Sequence, residues 1–252
     1  MEHKRLAVRD AWGLMEVVEQ EGEVNLRFGN HTAQSGWYPA RPYQLAFGYY
    51  RALLASLVLH PKPDRLNLYG LGGGALARFL LEYTDIRLTT HDLRPALLDI
   101  AKQYFDLDTD HPNITLRFGD IADNLWLMDT PPADIIWLDV FDEQGMVPIP
   151  ARSIAVLSDQ LDDEGVLCAN IWRNALDDVS HLNNQLARYF SPTPLTLHVP
   201  DRFNTVVCYR KTPWTTEDIL QAHARLTQWS PVVHETIRGS LPWLLPLPRK
   251  SR

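Results

Sequence analysis

Leu66-Asn67-Leu68-Tyr69-Gly70-Leu71-Gly72-Gly73-Gly74-Ala75-Leu76-Ala77-Arg78-Phe79-Leu80-Leu81 decides the fold. An apolar run enters a cluster of glycines and leaves with helical spacing, which predicts strand, tight turn and helix. Glycine lets such a turn take positive φ and lets a ligand come close to the backbone. The helix that follows is expected to aim its unpaired N–H groups at whatever sits above the turn. Gly70-x-Gly72-x-Gly74 lacks the full spacing of the dinucleotide fingerprint, so taken alone it also fits a plain strand-to-helix connection.

The next segment sharpens the reading. Ile86 to Thr90 is a short β-branched run that ends in His91-Asp92. An acid at the end of the second strand, about 20 residues past the glycines, is where such folds hold ribose hydroxyls. Asp92 could instead cap a helix beginning near Pro95. The natural cap positions, however, are Leu93 and Arg94, and neither side chain caps well, which favours ribose.

Downstream, apolar strands alternate with helical patterns. Helices are expected at 74–83, 95–105, 124–128 and 151–161, and strands at 87–90, 114–118, 135–138 and 166–170. This alternation predicts an α/β fold, a doubly wound, mostly parallel sheet. A helix from Ala175 to about Phe190 comes next. The runs Leu195–Val199 and Asn204–Arg210 are expected to pair antiparallel and close the sheet edge. Pro213 to Trp229 reads as the final amphipathic helix, and Leu241–Pro248 as an apolar tail packed on the surface or on a second copy. Upstream, Leu14–Val18 and Val24–Phe28 flank a turn holding Gly22 and form a β-hairpin. Gly29 to Ser35 is turn-rich, and Tyr43–Leu59 is helical until His60-Pro61-Lys62-Pro63 stops it. The expected units are residues 1–42, a small hairpin unit, and 43–252, a nucleoside-binding domain.

Composition narrows the function. The chain has 252 residues, is 45% hydrophobic and carries a formal net charge of −7. Its Lys and Arg are dispersed, so nucleic acid is not an expected partner. No window approaches 18 apolar residues, so no membrane span is expected. The charged start, Met1 to Asp10, lacks a signal-peptide core, which points to the cytoplasm. Cys168 and Cys208 each lie in an apolar run and read as core residues rather than a disulfide or metal pair. Neither His31 nor His91 has a second ligand at metal spacing. No Walker A or Gly-x-Ser-x-Gly motif is present.

Ligands in such sheets lie over the carboxyl ends of the strands. The residues there are Gly70, Asp92, Gly119-Asp120-Ile121, Asp139 and Asn170. Asp120 could accept from an exocyclic amine while Ile121 covers the face of a base, although an aspartate after glycine is also common in turns. Asp139 ends the most apolar strand, and Asp142 follows three residues later. Such a pair can take a proton from an amine or hold a cation, and it can equally be a cap or a loop acid.

These pieces, in this order, resemble the spermidine/spermine synthase family of the methyltransferase-like Rossmann fold. The resemblance covers Leu14 to Arg210. It rests on Arg27-Phe28-Gly29…Gln34-Ser35, the Tyr49 helix ending at His60-Pro61, the glycine turn with Gly70, Gly72 and Gly74, Asp92, Gly119-Asp120, Asp139-x-x-Asp142 and Asn204-Thr205-Val206-Val207. It implies a site for S-adenosylmethionine or its decarboxylated form, with no metal, and transfer of an aminopropyl group to an amine. Asp92 matches the ribose acid, Asp120 the adenine acid and Gln34 a nucleoside contact. Asp139 matches the base, Asp142 the second acid of its loop and Tyr49 a tyrosine of the polyamine groove. Family members often form dimers, so a homodimer is expected.

Three departures separate this chain from the family pattern. Gly73 stands where an aspartate would grip the aminopropyl amine. Tyr50-Arg51 replaces an acid, and Arg51 is expected to repel a polyamine. Val140-Phe141-Asp142-Glu143 lacks the family's Ser/Thr-Asp-Pro. Loss of the acid at position 73 removes a repulsion against the carboxylate of intact S-adenosylmethionine. Methyl transfer to a small acceptor is therefore the alternative activity, and a nucleoside-binding relative without turnover is the third.

Overall fold

The computed structural model describes residues 2–29, 32–142, 145–172, 182–199, 204–241 and 244–246. It opens with a four-stranded antiparallel sheet: β1 (Glu2–Asp10), β2 (Gly13–Gln20), β3 (Glu23–Phe28) and β4 (Ala33–Trp37), in that order. The expected hairpin is β2–β3, turned by Glu21 and Gly22, both at positive φ. It is half of the sheet. Strand β1 escaped the sequence reading because it is exposed and charged. It is held by its ladder to β2 and by cross-strand ion pairs, Lys4 with Glu16 and Arg5 with Glu19. Strand β4 lies in the stretch taken for turns. His31, passed over above as a metal ligand, lies outside the described residues.

Helix α1 (Gly48–Ala55) and a 3-10 turn (Ser56–Val58) lead into the second sheet. The helix is shorter than the span 43–59 expected. Then follow β5 (Arg65–Tyr69), α2 (Ala75–Tyr83), β6 (Arg87–Asp92), α3 (Leu97–Tyr104), β7 (Ile114–Phe118), α4 (Asn124–Met128), β8 (Ala133–Leu138), α5 (Ala151–Gln160) and β9 (Leu161–Trp172). Strands β10 (Leu195–His198) and β11 (Asn204–Tyr209), helices α6 (Thr216–Arg225) and α7 (Pro231–Arg238), and β12 (Leu244–Pro246) complete the chain. The sheet order is β12-β10-β11-β9-β8-β5-β6-β7. From β9 to β7 the neighbours are parallel, and β11, β10 and β12 are added antiparallel. Each residue of β8 is buried, as a strand covered on both faces requires.

Two apolar clusters cover the two faces. One joins Leu66, Leu68 and Trp137 to α1, α2, α3 and the N-terminal sheet; the other joins Ile136, Leu138 and Leu167 to α4, α5 and Phe190. Trp37 fastens the small sheet to the large one. Its Nε1 donates to the Tyr104 carbonyl at 2.8 Å, and Arg78 lies 5.0 Å over its ring.

The C-terminal end differs from expectation. Helix α6 is followed by a further helix, α7, so the Pro213–Trp229 segment is not the last. The apolar tail does not simply lie on the surface: Leu244–Pro246 pairs with β10 and forms the outer strand, so β10–β11 is not the sheet edge. Of the helix expected from Ala175, residues 182–186 are helical, and 173–181 lie outside the described residues. Cys168 and Cys208 are free and buried in facing positions of β9 and β11, with their sulfurs 3.3 Å apart.

Candidate active site

Strand registry brings the carboxyl ends of β5, β6 and β8 level, since Tyr69 pairs with both His91 and Leu138. Beyond those ends opens a cavity of about 340 Å³. Its wall includes Gln34, Tyr49, Gly70, Gly72, Asp92, Asp120, Ile121, Asp139 and Asp142. Gly74 lies outside the wall, in a left-handed conformation at the N-cap of α2.

The turn is glycine for a packing reason that shows at Gly70. Its φ is 101°, and a Cβ there would fall 2.1 Å from the Asp139 carbonyl oxygen. The ends of β5 and β8 therefore touch at a point that admits no side chain. At Gly73 a Cβ would meet the Phe105 ring at 2.5 Å, so an aromatic from the end of α3 fills the space that an acid would need.

The N–H groups of the turn itself, ahead of the helix, are paired. The N–H of Gly70 donates to the His91 carbonyl at 2.8 Å, and that of Leu71 to Asp92 Oδ2 at 2.9 Å. Gly72 donates to the same Oδ2 at 3.3 Å, Gly73 to Ser35 Oγ at 2.8 Å and Gly74 to the Leu71 carbonyl at 2.9 Å. All five donors are used inside the protein. A phosphate or carboxylate arriving at the turn finds none of them vacant.

Asp92 thus serves the turn. Its other oxygen, Oδ1, accepts from the Arg94 N–H at 3.1 Å. Burial raises its pKa, and these backbone donors pull the other way. Asp92 nevertheless forms part of the cavity wall.

Asp139 is built differently. Asn170 Nδ2 donates to its Oδ1 at 2.8 Å, and the Tyr49 hydroxyl donates to the same carboxylate. Desolvation pushes its pKa up to about 6; the donors Asn170 and Tyr49 oppose this, and the charge of Asp92 adds to it. Burial and the Asp139 charge raise the Tyr49 hydroxyl well above its usual value, so it stays a donor. Tyr50 bonds both Tyr49 and Ser35, which ties Asp139 to the glycine turn through Gly73.

Asp142 sits in a tight turn, its N–H donating to the Gly145 carbonyl at 2.9 Å and its Oδ1 accepting from the Gly145 N–H at 3.1 Å. Glu143 lies outside the described residues. Asp120 is exposed and accepts from the Ala122 N–H at 2.8 Å, while Ile121 is buried beside it. Arg51 corrects an expectation: it is exposed, reaches the Leu45 carbonyl at 3.5 Å and does not line the cavity.

Several wall residues were given no role by the sequence. Trp12 and Phe28 come from the small sheet. Arg94 holds that sheet in place, donating to both oxygens of Asp10 at 2.8 and 2.9 Å and lying 4.7 Å over the Phe28 ring. His91 stacks on Tyr69 at 4.2 Å. Burial, then the charge of Arg117, lowers its pKa to about 3, so it is neutral. Tyr69 and His91 could have been found, since Tyr69 ends β5 and His91 is the last residue but one of β6.

At the other end of the strands, His60, Asp134 and Asp162 approach metal-ligand distance. Two of their ligand atoms are engaged by backbone N–H groups, while His60 Nε2 is buried without a hydrogen-bond partner. His60 Nδ1 accepts from the Lys62 N–H, which puts the proton on Nε2, 3.5 Å from Asp162. Asp134 Oδ2 accepts from the N–H groups of Asp64 and Arg65.

No family model matches the chain. Polyamine aminopropyltransferases do. One from Chromobacterium violaceum is 30% identical over 176 residues, covering 67% of this chain and 66% of the relative. One from Neisseria meningitidis serogroup A is 27% identical over 160 residues, 62% of this chain and 60% of the relative. The chain is a divergent relative of the polyamine aminopropyltransferases. The match spans about three fifths of the length of the Neisseria relative. Among solved structures, a spermidine synthase in complex with the transition-state analogue AdoDATO superposes with a TM-score of 0.74 at 14% identity, covering 94% of this chain and 84% of that one. Human methyltransferase-like protein 13 in complex with SAH gives 0.63 at 19%, covering 82% and 96%. At such identities these likenesses show the fold, and both share the parallel sheet described above.

Proposed function

We propose that this chain is an aminopropyltransferase that takes decarboxylated S-adenosylmethionine and passes its aminopropyl group to an amine acceptor. The observation that carries the reading is Asp139: a carboxylate with its pKa raised to about 6, held by Asn170 and Tyr49 in the wall of a nucleoside-sized cavity. Such an acid is ionised near neutral pH and basic enough to take a proton. The acceptor nitrogen attacks the propyl carbon beside the sulfonium. The C–N bond forms as the C–S bond breaks, and the electron pair goes to sulfur, leaving neutral methylthioadenosine. The amine proton goes to Asp139. In this reading Asp92 takes the ribose, Asp120 and Ile121 the adenine, Gln34 the nucleoside's side and Tyr49 the acceptor's. Asp142 adds negative charge at the mouth.

Electrostatics supports the decarboxylated form. Among the described residues the wall holds four aspartates and one arginine, Arg94, which is committed to Asp10. A cationic sulfonium without a carboxylate suits such a wall, and the five turn N–H groups offer nothing to an anion. Gly73 favours the second reading, methyl transfer from the intact cofactor, because no acid there repels a carboxylate. Calorimetry with both forms separates the two, and tighter binding of the intact form sinks aminopropyl transfer. Turnover is tested with decarboxylated cofactor and putrescine or spermidine, reading methylthioadenosine. Binding without product leaves a nucleoside-binding relative.

We extend the reading to a homodimer in the cytoplasm, on the family resemblance. Sedimentation and cell fractionation check each part. Among the described residues, no helix is long and apolar enough to cross a membrane.

A further inference from the structure

We propose that Asn204 and Asn170 form an amide relay that aims Asp139, making both of them positioning residues for the proposed base. The inference rests on the reading of Asp139 given above. Strand register sets up the relay. Asn170 on β9 faces Val206 on β11, and Asn204 faces Trp172, so the two asparagines are diagonal neighbours on one face of the sheet. Asn204 Nδ2 donates to Asn170 Oδ1 at 3.0 Å, and Asn170 Nδ2 donates to Asp139 Oδ1 at 2.8 Å.

The order of those bonds is what matters. Asn170 is 2% exposed, and a buried amide can present either its oxygen or its NH2 to a neighbour. With its oxygen occupied by Asn204, the NH2 is turned to Asp139. Were the amide reversed, its oxygen would face the carboxylate and repel it. Asn204 therefore reinforces the polarity of a contact it does not make.

The relay is also neutral. Among the described residues, the titratable groups facing Asp139 are Tyr49 and Tyr50 from α1 and Asp92 from β6. A lysine or arginine in place of Asn170 would hold the carboxylate as firmly but sink its basicity. Two amides orient the carboxylate and leave it able to accept a proton. Strand β11, added antiparallel beside β9, thereby acquires a part in the chemistry that its place outside the parallel core does not suggest.

The test follows the Asp139 carboxyl directly, by carbon NMR of aspartate-labelled protein, with Asp139→Asn to assign the signal. In Asn170→Ala the titration midpoint is expected to rise by about one pH unit, because a donor to the ionised form is gone. Asn204→Ala, at the less buried end of the relay, is expected to shift it the same way by less. In turnover, both variants lose rate near pH 6 and recover it at higher pH, with methylthioadenosine affinity within twofold of the parent. Unchanged midpoints in either folded variant overturn the relay. If midpoints shift while the parent's rate shows no acid limb, the relay stands and the base role of Asp139 falls.

Discussion

Asp92 and Asp139 end parallel strands on either side of β5, line one cavity and are the same kind of residue. Their surroundings divide them. Asp92 accepts from three backbone N–H groups, two of them in the glycine turn, and so works as part of the backbone. Asp139 is held by side chains, Asn170 and Tyr49, and by its desolvation. Backbone donors are fixed by the fold. Side-chain donors leave a carboxylate whose proton affinity can be set residue by residue. The first arrangement suits holding a ligand and the second suits moving a proton.

The heaviest blow to this pair strikes between them. Gly70→Ala drives a Cβ into the Asp139 carbonyl at a positive φ, and is expected to cost about 4 kcal/mol or more, read as a lost or strongly shifted urea transition. A variant as stable as the parent would mean that the two strand ends do not meet as described. Asp139→Asn keeps the shape and removes the base. Turnover should drop by about 10²- to 10⁴-fold while methylthioadenosine affinity stays within a few-fold. Equal losses in both would erase the distinction from Asp92. Asp92→Ala should do the reverse, weakening nucleoside binding by about tenfold or more. It should also destabilise the fold by about 1–3 kcal/mol, because the Leu71 and Gly72 donors lose their acceptor.

The pH dependence sharpens the contrast further. The rate should climb as pH rises through about 6, the value to which Asp139 is raised. Stability should move oppositely. A carboxyl whose folded pKa lies above its unfolded one binds more protons when folded, so its contribution falls as pH rises from about 4 to about 6. Asp139→Asn should remove that slope and melt higher than the parent at pH 8, measured by thermal scans. The smallest effect belongs to Arg51→Ala. Its side chain is exposed and off the cavity wall, so acceptor KM should not change. A clear fall in KM would restore the repulsion inferred from sequence.

The parts read correctly from sequence are those whose cause is local. Strands β5 to β8 announce themselves as apolar runs, Gly70 to Gly74 as a turn, and Asp92, Asp120 and Asp139 as acids at strand ends. What escaped has non-local causes. Strand β1 is charged along its length and exists through pairing with β2. Strand β12 has three residues and depends on β10. Trp12 and Phe28 reach the cavity because the small sheet is docked by distant partners, Arg94 to Asp10, 84 residues away, and Trp37 to Tyr104 among them.

By itself the sequence determined the parallel sheet, its glycine turn and the row of acids along its rim, because residue order and short-range periodicity are enough to set those. The tertiary structure alone decided what each acid is free to do. Ser35 consumes a turn donor, Phe105 fills the place beside Gly73, and Asn170 and Asn204 hold Asp139. A carboxylate's chemistry is set by the groups within hydrogen-bond reach, and here those come from strands far apart along the chain.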